Sequence, residues 1–212
     1  MNWLKPHKEM NVLDVGCAWG YFLYGISDLC DQATGIDINP QMISSAKDML
    51  KEKKNISLLL ADARDLPLDD QGFDAVVSLG AIEHFPESSK ALEEMVRVTK
   101  PSGIVVVSVP NAYDFLNRSY RSLLIRSGRT QDYMQKYFMP GTLKKMMADA
   151  GLKDIEVNGY GAGIINPPVP GRLKRHSVFR LPEKLHYSLE SKNTFLNKYI
   201  GHMVMAKGVK KD

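Results

Sequence analysis

From Asn11 to Val109 short apolar runs alternate with amphipathic stretches, a rhythm that restricts the chain to a parallel sheet covered by helices. Asn11-Val12-Leu13-Asp14-Val15 reads as a buried strand ending at Gly16, and Phe22, Leu23, Ile26 and Leu29 have the spacing of a helix over 21–30. Residues 33–36 form a second strand. Asn39-Pro40 then starts a helix whose buried stripe is Met42, Ile43, Ala46, Met49 and Leu50. Residues 56–61 and Phe73–Leu79 are the third and fourth strands. A helix over Ser88–Val98 follows, with Ser88 or Ser89 expected as its cap. Lys100-Pro101-Ser102-Gly103 is a turn into residues 104–109, whose near-continuous β-branched composition implies burial on both faces.

After Pro110 the rhythm breaks. Helical spacing returns over 142–150, closed by Gly151, and residues 155–157 and 201–207 read as the sixth and last strands. Segments 111–139 and 159–195 are expected to be insertions, lids over a binding site within one domain spanning 1–212. A chain of 212 residues with 44% hydrophobic and 25% charged content suits that single-domain reading. No apolar run approaches the roughly 18–20 residues of a membrane span, and residues 1–11 lack a signal-peptide core. With only Cys17 and Cys30 present, a disulfide framework is disfavoured and a cytoplasmic location expected. The five histidines show no metal-ligand spacing, so no metal is expected.

Charge is divided unevenly along the chain. Residues 1–110 carry a net charge of −6, residues 111–170 of +3 and residues 171–212 of +7. The basic part is either a solvated face or a surface turned toward an anionic partner. Basic and aromatic residues do not interleave in long runs, so nucleic acid is an unlikely partner.

The chemistry centres on Val12-Leu13-Asp14-Val15-Gly16-Cys17-Ala18-Trp19-Gly20-Tyr21. A strand that ends in a Gly-rich turn and opens a helix lets a ligand approach the backbone closely. About twenty residues on, Asp37 ends the second strand where a carboxylate can accept two ribose hydroxyls; its alternative is to cap the Asn39-Pro40 turn. A dinucleotide-binding G-x-G-x-x-G loop fails on spacing, because position 21 is Tyr. Glycines at 16 and 20 with Ala18 between them match G-x-G-x-G instead.

At this point the sequence resembles the class I S-adenosylmethionine-dependent methyltransferases, in particular the group containing the ubiquinone- and menaquinone-biosynthesis enzymes. The resemblance covers residues 11–110 and recurs around 137–157 and 202–208. It implies a Rossmann-like α/β fold with a seven-stranded, mostly parallel sheet ordered 3-2-1-4-5-7-6, the last strand antiparallel and helices on both faces. It also implies S-adenosylmethionine as cofactor: Asp14, Gly16, Ala18 and Gly20 around its methionine end, Asp37 on the ribose, and Ile38 against the adenine. Asp62 would accept from the adenine amine, Ala63 supply a backbone N–H, and Ser78 lie beside the methionine moiety. Ala18 and Ser102 stand where glycine is usual in this family.

His84, just after the fourth strand, is the candidate general base for a hydroxyl, amine or acidic carbon; the alternative is a structural histidine at a helix start. Glu83 reads as a cofactor-side or supporting residue. Tyr113, Phe115, Tyr120, Tyr133, Tyr137 and Phe138, with Arg118, Arg121, Arg126 and Arg129, are expected to recognise a small-molecule acceptor, an anionic one if the arginines clamp it. Alternatively Tyr120, Leu123 and Leu124 pack a helix on the sheet. Trp19 and Tyr21 either line the pocket or pack in the core. Aminopropyl transfer lacks its extra carboxylates near residues 78–81, and Asn166-Pro167-Pro168-Val169 lies too late, and lacks the aromatic, for a base-methylating tetrad. A catalytically silent cofactor-binding regulator remains the alternative to an enzyme.

Overall fold

The computed structural model describes residues 3–128, 135–162 and 201–212. The apolar runs become strands β1 (Asn11–Val15), β2 (Gln32–Asp37), β3 (Ile56–Leu60), β4 (Phe73–Leu79) and β5 (Thr99–Pro110); β6 (Leu152–Ala162) and β7 (Gly201–Lys210) follow. They pair in one sheet ordered β3-β2-β1-β4-β5-β7-β6, parallel from β3 to β5, with β7 antiparallel to both neighbours. Helices α1 (Tyr21–Ile26), α2 (Pro40–Leu50) and α3 (Ser88–Val98) lie in the crossovers, and α4 (Phe115–Arg126) and α5 (Pro140–Asp149) follow β5. The order is that implied by the resemblance.

Side chains alternate across each strand, so the sheet has two dry faces. Val12, Ala75, Val77 and Val106 pack with Leu23 and Ile26 of α1 and with Ile43, Ala46 and Leu50 of α2. Leu13, Val15, Val76, Val105 and Val107 pack on the other face with Leu92 and Met95 of α3 and Leu143 and Met147 of α5. Each fully buried Leu or Ile contributes roughly 1.5–3 kcal/mol. None of the α4 side chains described, which exclude those of residues 116, 117 and 120, belongs to either cluster.

Several local expectations give way to tertiary contacts. The first helix stops at Ile26 instead of reaching Cys30: the Asn55 side-chain amide donates to Ser27 O at 2.8 Å and Asp31 O at 2.9 Å, drawing these carbonyls out of helical register. Leu29 is consequently exposed. Neither Ser88 nor Ser89 caps α3. The Ser88 hydroxyl donates instead to Ile82 O at 3.0 Å, across the turn that carries His84. The Lys100–Gly103 turn loops out within β5, whose pairing with β4 jumps from Phe73–Thr99 to Ala75–Ile104, and Ser102 sits there at φ +59°. β6 is longer than residues 155–157 because it is held by β7 along its length. Its polar Lys153, Asp154 and Glu156 suit a sheet edge and hide it from hydrophobic patterning. It therefore includes 159–162, the first residues of the expected second insertion; the rest of 159–195 lies outside the described residues. Gly151 follows α5 with φ +97°, the left-handed closure its position requires.

Candidate functional site

The strand order reverses beside β1, and in open α/β sheets the crevice at the carboxyl ends of strands around such a point is where ligands bind. The turn after β1 is stitched to the tip of β2: Gly16 and Cys17 N–H both donate to Ile36 O, at 2.8 and 2.9 Å. Gly16 takes φ +80°, and a β-carbon there would stand 2.3 Å from the Ala81 Cβ, so only glycine fits. Ala18 also lies in the left-handed region, at φ +47°, which explains why glycine is usual at this position.

This turn opens a crevice of about 770 Å³. Its wall brings together Gly16, Ala18, Asp37, Ile38, Asp62, Ala63 and His84, seven of the residues singled out in the sequence, along with Trp19, Met42, Arg64 and Phe85. Ile38 is 63% exposed and Trp19 50%, an apolar surface suited to a flat ring. Core packing is thereby excluded for Trp19 and for Tyr21, which is also exposed and lies outside the crevice wall. Asp37 Oδ2 accepts the Ala18 N–H at 3.0 Å and Oδ1 accepts the Asn39 N–H at 2.9 Å. The capping role is real, yet an ionised carboxylate has about four acceptor sites and two stay available.

Asp62 carries a partner that sequence reading missed. The Arg64 Nη2 and Nε groups donate to its two oxygens at 2.7 and 3.0 Å, and the Arg64 N–H donates to Oδ1 at 2.9 Å. These hydrogen bonds hold the Asp62 carboxyl down at about 2. An Arg two residues beyond a strand-end Asp was the available signal.

Three expected cofactor residues are off the crevice wall. Gly20 begins α1 against Leu50 and Ala46, where it allows the two helices to meet. Ser78 is fully buried within β4, and its hydroxyl has no hydrogen-bond partner among the described residues. Asp14 lies beneath the turn, 3% exposed; burial, and then the negative charge of Asp37, raise its carboxyl to about 7. The dry Asp14 carboxyl, the Gly16 cradle, the open sites on Asp37 and the apolar Ile38 and Trp19 together fit the ammonium, tail, ribose and base of S-adenosylmethionine.

A second, larger cleft of about 1210 Å³ lies between α4 and the turn after β4. His84 and Phe85 line both cavities. The turn that holds them is clamped: Lys136 Nζ donates to Phe85 O and Pro86 O at 2.7 and 2.6 Å and to the Ser88 hydroxyl at 3.0 Å, while the Lys136 N–H donates to Glu83 O. Glu83 itself is buried, and desolvation raises its carboxyl. Phe115, Arg118, Arg121, Arg126 and Tyr137 line the cleft. Phe138 does not, because it is buried in the core against the α5 side, and Tyr113 is not on the wall either. Of the three residues in the alternative reading, Leu123 is 63% exposed and Leu124 is half-buried. The Tyr120 side chain, Arg129, Tyr133, His176, His186 and Asn166-Pro167-Pro168-Val169 lie outside the described residues.

One pair was not anticipated. His202 Nδ1 lies 2.6 Å from Oδ2 of the buried Asp114, tying the start of β7 to the entry of α4. Residues so far apart in sequence give no local signal. Among the described residues no group of His, Cys, Asp and Glu is arranged to hold a metal, and no helix is long and apolar enough to cross a membrane.

Comparison with known proteins agrees with this geometry. Residues 13–107 match a methyltransferase domain family. A demethylmenaquinone methyltransferase from Staphylococcus epidermidis is 28% identical, with 77% of this chain and 76% of the relative covered. A Thermotoga maritima S-adenosylmethionine-dependent methyltransferase superposes with a TM-score of 0.67 at 20% identity, over 96% of this chain and 83% of its own. Haemonchus contortus phosphoethanolamine N-methyltransferase 2, solved with S-adenosylmethionine, gives 0.68 at 18% identity over 100% of this chain and 51% of its own. At such identities the two structures speak for the fold, and the domain match and the curated relative speak for the activity. Residues 13–107 thus carry a methyltransferase domain, and together with the curated relative they support S-adenosylmethionine-dependent methyl transfer as the activity of this chain.

Proposed function

We propose that this methyltransferase holds S-adenosylmethionine in the crevice at the tips of β1 and β2 and methylates a small molecule seated under α4, with His84 as general base. The observation that carries this reading is the position of His84 and Phe85 on the walls of both cavities. When bound, the cofactor supplies a methyl group on a positively charged sulfur, already attached to a good leaving group.

The chain's own residues do the rest. Asp37 accepts the two ribose hydroxyls at its open sites, each charge-assisted bond worth about 1.5–3 kcal/mol. Asp14 receives the ammonium and is thereby held ionised. Ile38 and Trp19 flank the adenine, Ala63 backs it, and Asp62 reaches its amine when Arg64 yields one contact. Alignment of acceptor and methyl is worth roughly 7–11 kcal/mol. His84 takes the proton from the acceptor, for a gain of about 10²–10⁴-fold.

In this reading segment 111–139 is a lid carried by α4, and the acceptor is a small molecule, not nucleic acid, because the basic side chains of α4 face a cleft. The free, buried Cys17 and Cys30 favour the reducing cytoplasm. A silent regulatory subunit is not favoured, since the curated relatives are named as enzymes. Calorimetry with S-adenosylhomocysteine, followed by a methyl-release assay over hydroxyl, amine and carbon acceptors, tests the reading. Binding that survives Asp37→Ala unchanged, or binding with no turnover on any acceptor, would refute it.

A further inference from the structure

We propose that the acceptor carries a phosphate monoester, held by Arg118 and Arg121 of α4, beside an apolar or aromatic body lying against Tyr137 and Phe115. The proposal rests on the reading of the α4 cleft as the acceptor site.

The described arginines fall into two groups. Arg64 and Arg97 are bound to carboxylates, at 2.7 Å to Asp62 and at 2.6 and 2.7 Å to Asp70 and Glu94. Arg118, Arg121 and Arg126 line the cleft, and none of them forms an ion pair among the described residues. Lys136 adds a fourth positive charge to the same wall. The one carboxyl on that wall, Glu83, is 3% exposed, and its burial favours the neutral form. Charges three residues apart on a helix repel each other, as those of Arg118 and Arg121 do, unless an anion lies between them.

Arg118 is already oriented for such an anion. Its guanidinium lies 4.8 Å from the Tyr137 ring centroid and 6.0 Å from that of Phe115, and Nη1 donates to Ala112 O at 2.9 Å. A guanidinium fixed by stacking and one backbone bond retains a fork of N–H groups for a bidentate acceptor. Ser119 and Ser122 place hydroxyls on the same wall. Several cations, two hydroxyls and, among the described residues, no exposed carboxylate suit a dianion with three acceptor oxygens better than a carboxylate. The rings that orient Arg118 provide the apolar contact for the rest of the molecule.

Two sources share this chemistry: a soluble phosphate ester and a lipid headgroup. The probes are phenyl phosphate, phenylacetate, and phosphatidylcholine vesicles with and without phosphatidic acid. Each is titrated with and without saturating S-adenosylhomocysteine, so that failure of the cofactor reading and failure of this one are seen separately. Phenyl phosphate is expected to bind more tightly than phenylacetate, and to weaken about tenfold or more in Arg118→Met and in Arg121→Met. Affinity for S-adenosylhomocysteine should stay within about twofold, with unchanged circular dichroism. Arg121 makes no hydrogen bond among the described residues, so Arg121→Met separates anion binding from any disturbance of α4 through Arg118. Vesicle binding that needs both phosphatidic acid and Arg121 identifies a lipid source; phenyl phosphate binding alone identifies a soluble one. If neither phosphate probe binds, if phenylacetate binds as well as phenyl phosphate, or if both variants bind like wild type, the proposal is wrong.

Discussion

The crevice at β1 and β2 and the cleft under α4 solve the binding problem in opposite ways. The crevice is made of strand tips, whose positions are set by sheet hydrogen bonds and two dry faces; the carboxylates on its wall are Asp37, half-buried, and Asp62, paired with Arg64, with Asp14 buried beneath the turn. The cleft is bordered by a helix whose described side chains join neither core cluster, and its exposed charged groups among the described residues are cations. A rigid acidic crevice suits a ligand that is always the same and carries positive charge. A cationic cleft suits a partner of opposite charge. His84 stands where the two meet.

The largest expected effect tests that junction. His84→Ala should lower turnover by about 10²–10⁴-fold while leaving affinity for S-adenosylhomocysteine nearly unchanged, as measured by methyl release and calorimetry. Equal losses in both would make His84 a structural residue of the crevice. Next in size, Asp37→Ala removes acceptors for two hydroxyls and should weaken S-adenosylhomocysteine binding by roughly a hundredfold. Its effect on a phosphate probe in the cleft should be small if the two sites are as separate as their construction suggests.

Asp14 sharpens the contrast through pH. Its folded value of about 7 lies above the ordinary 3.8, so the folded state binds the proton more tightly than the unfolded chain. The associated stability is complete below about 3.8, falls as pH rises toward 7, and is gone above it. Asp14→Asn should therefore raise the unfolding midpoint at pH 8 and have little effect at pH 4. Binding of an ammonium beside Asp14 would expel the proton, so wild-type affinity should increase up to about tenfold per pH unit below 7 and flatten above, a slope absent from Asp14→Asn. Calorimetry in buffers of different ionisation enthalpy counts the proton released. The smallest effect concerns the turn itself. Ala18→Gly relieves a left-handed alanine and should change stability by no more than about 1 kcal/mol, on the stabilising side, in urea denaturation. A clear loss would mean that the Ala18 methyl group is part of the crevice.

Much of the fold and half of the site were legible in the chain. Strands of a doubly covered parallel sheet are written as continuous β-branched runs, and β1, β4 and the core of β5 stand out for that reason. Gly16, Asp37 and Ile38 were legible because local backbone geometry and strand ends place them. The edge strand β6 was largely missed, since its polar residues obey pairing with β7 and not burial. Arg64 on Asp62, Lys136 under the His84 turn, and His202 beside Asp114 went unseen, because each side chain meets its partner only after the chain has folded.

The sequence by itself determined the sheet, its cofactor turn and the chemical family, because periodicity, glycine geometry and strand-end carboxylates are local properties. Only the tertiary structure decided that Ser78 is buried away from the crevice wall, that the α4 arginines line a cleft with no ion pair among the described residues, and that His84 is shared by two cavities. Those outcomes depend on desolvation and on contacts between residues distant in sequence, and no short window of residues encodes either.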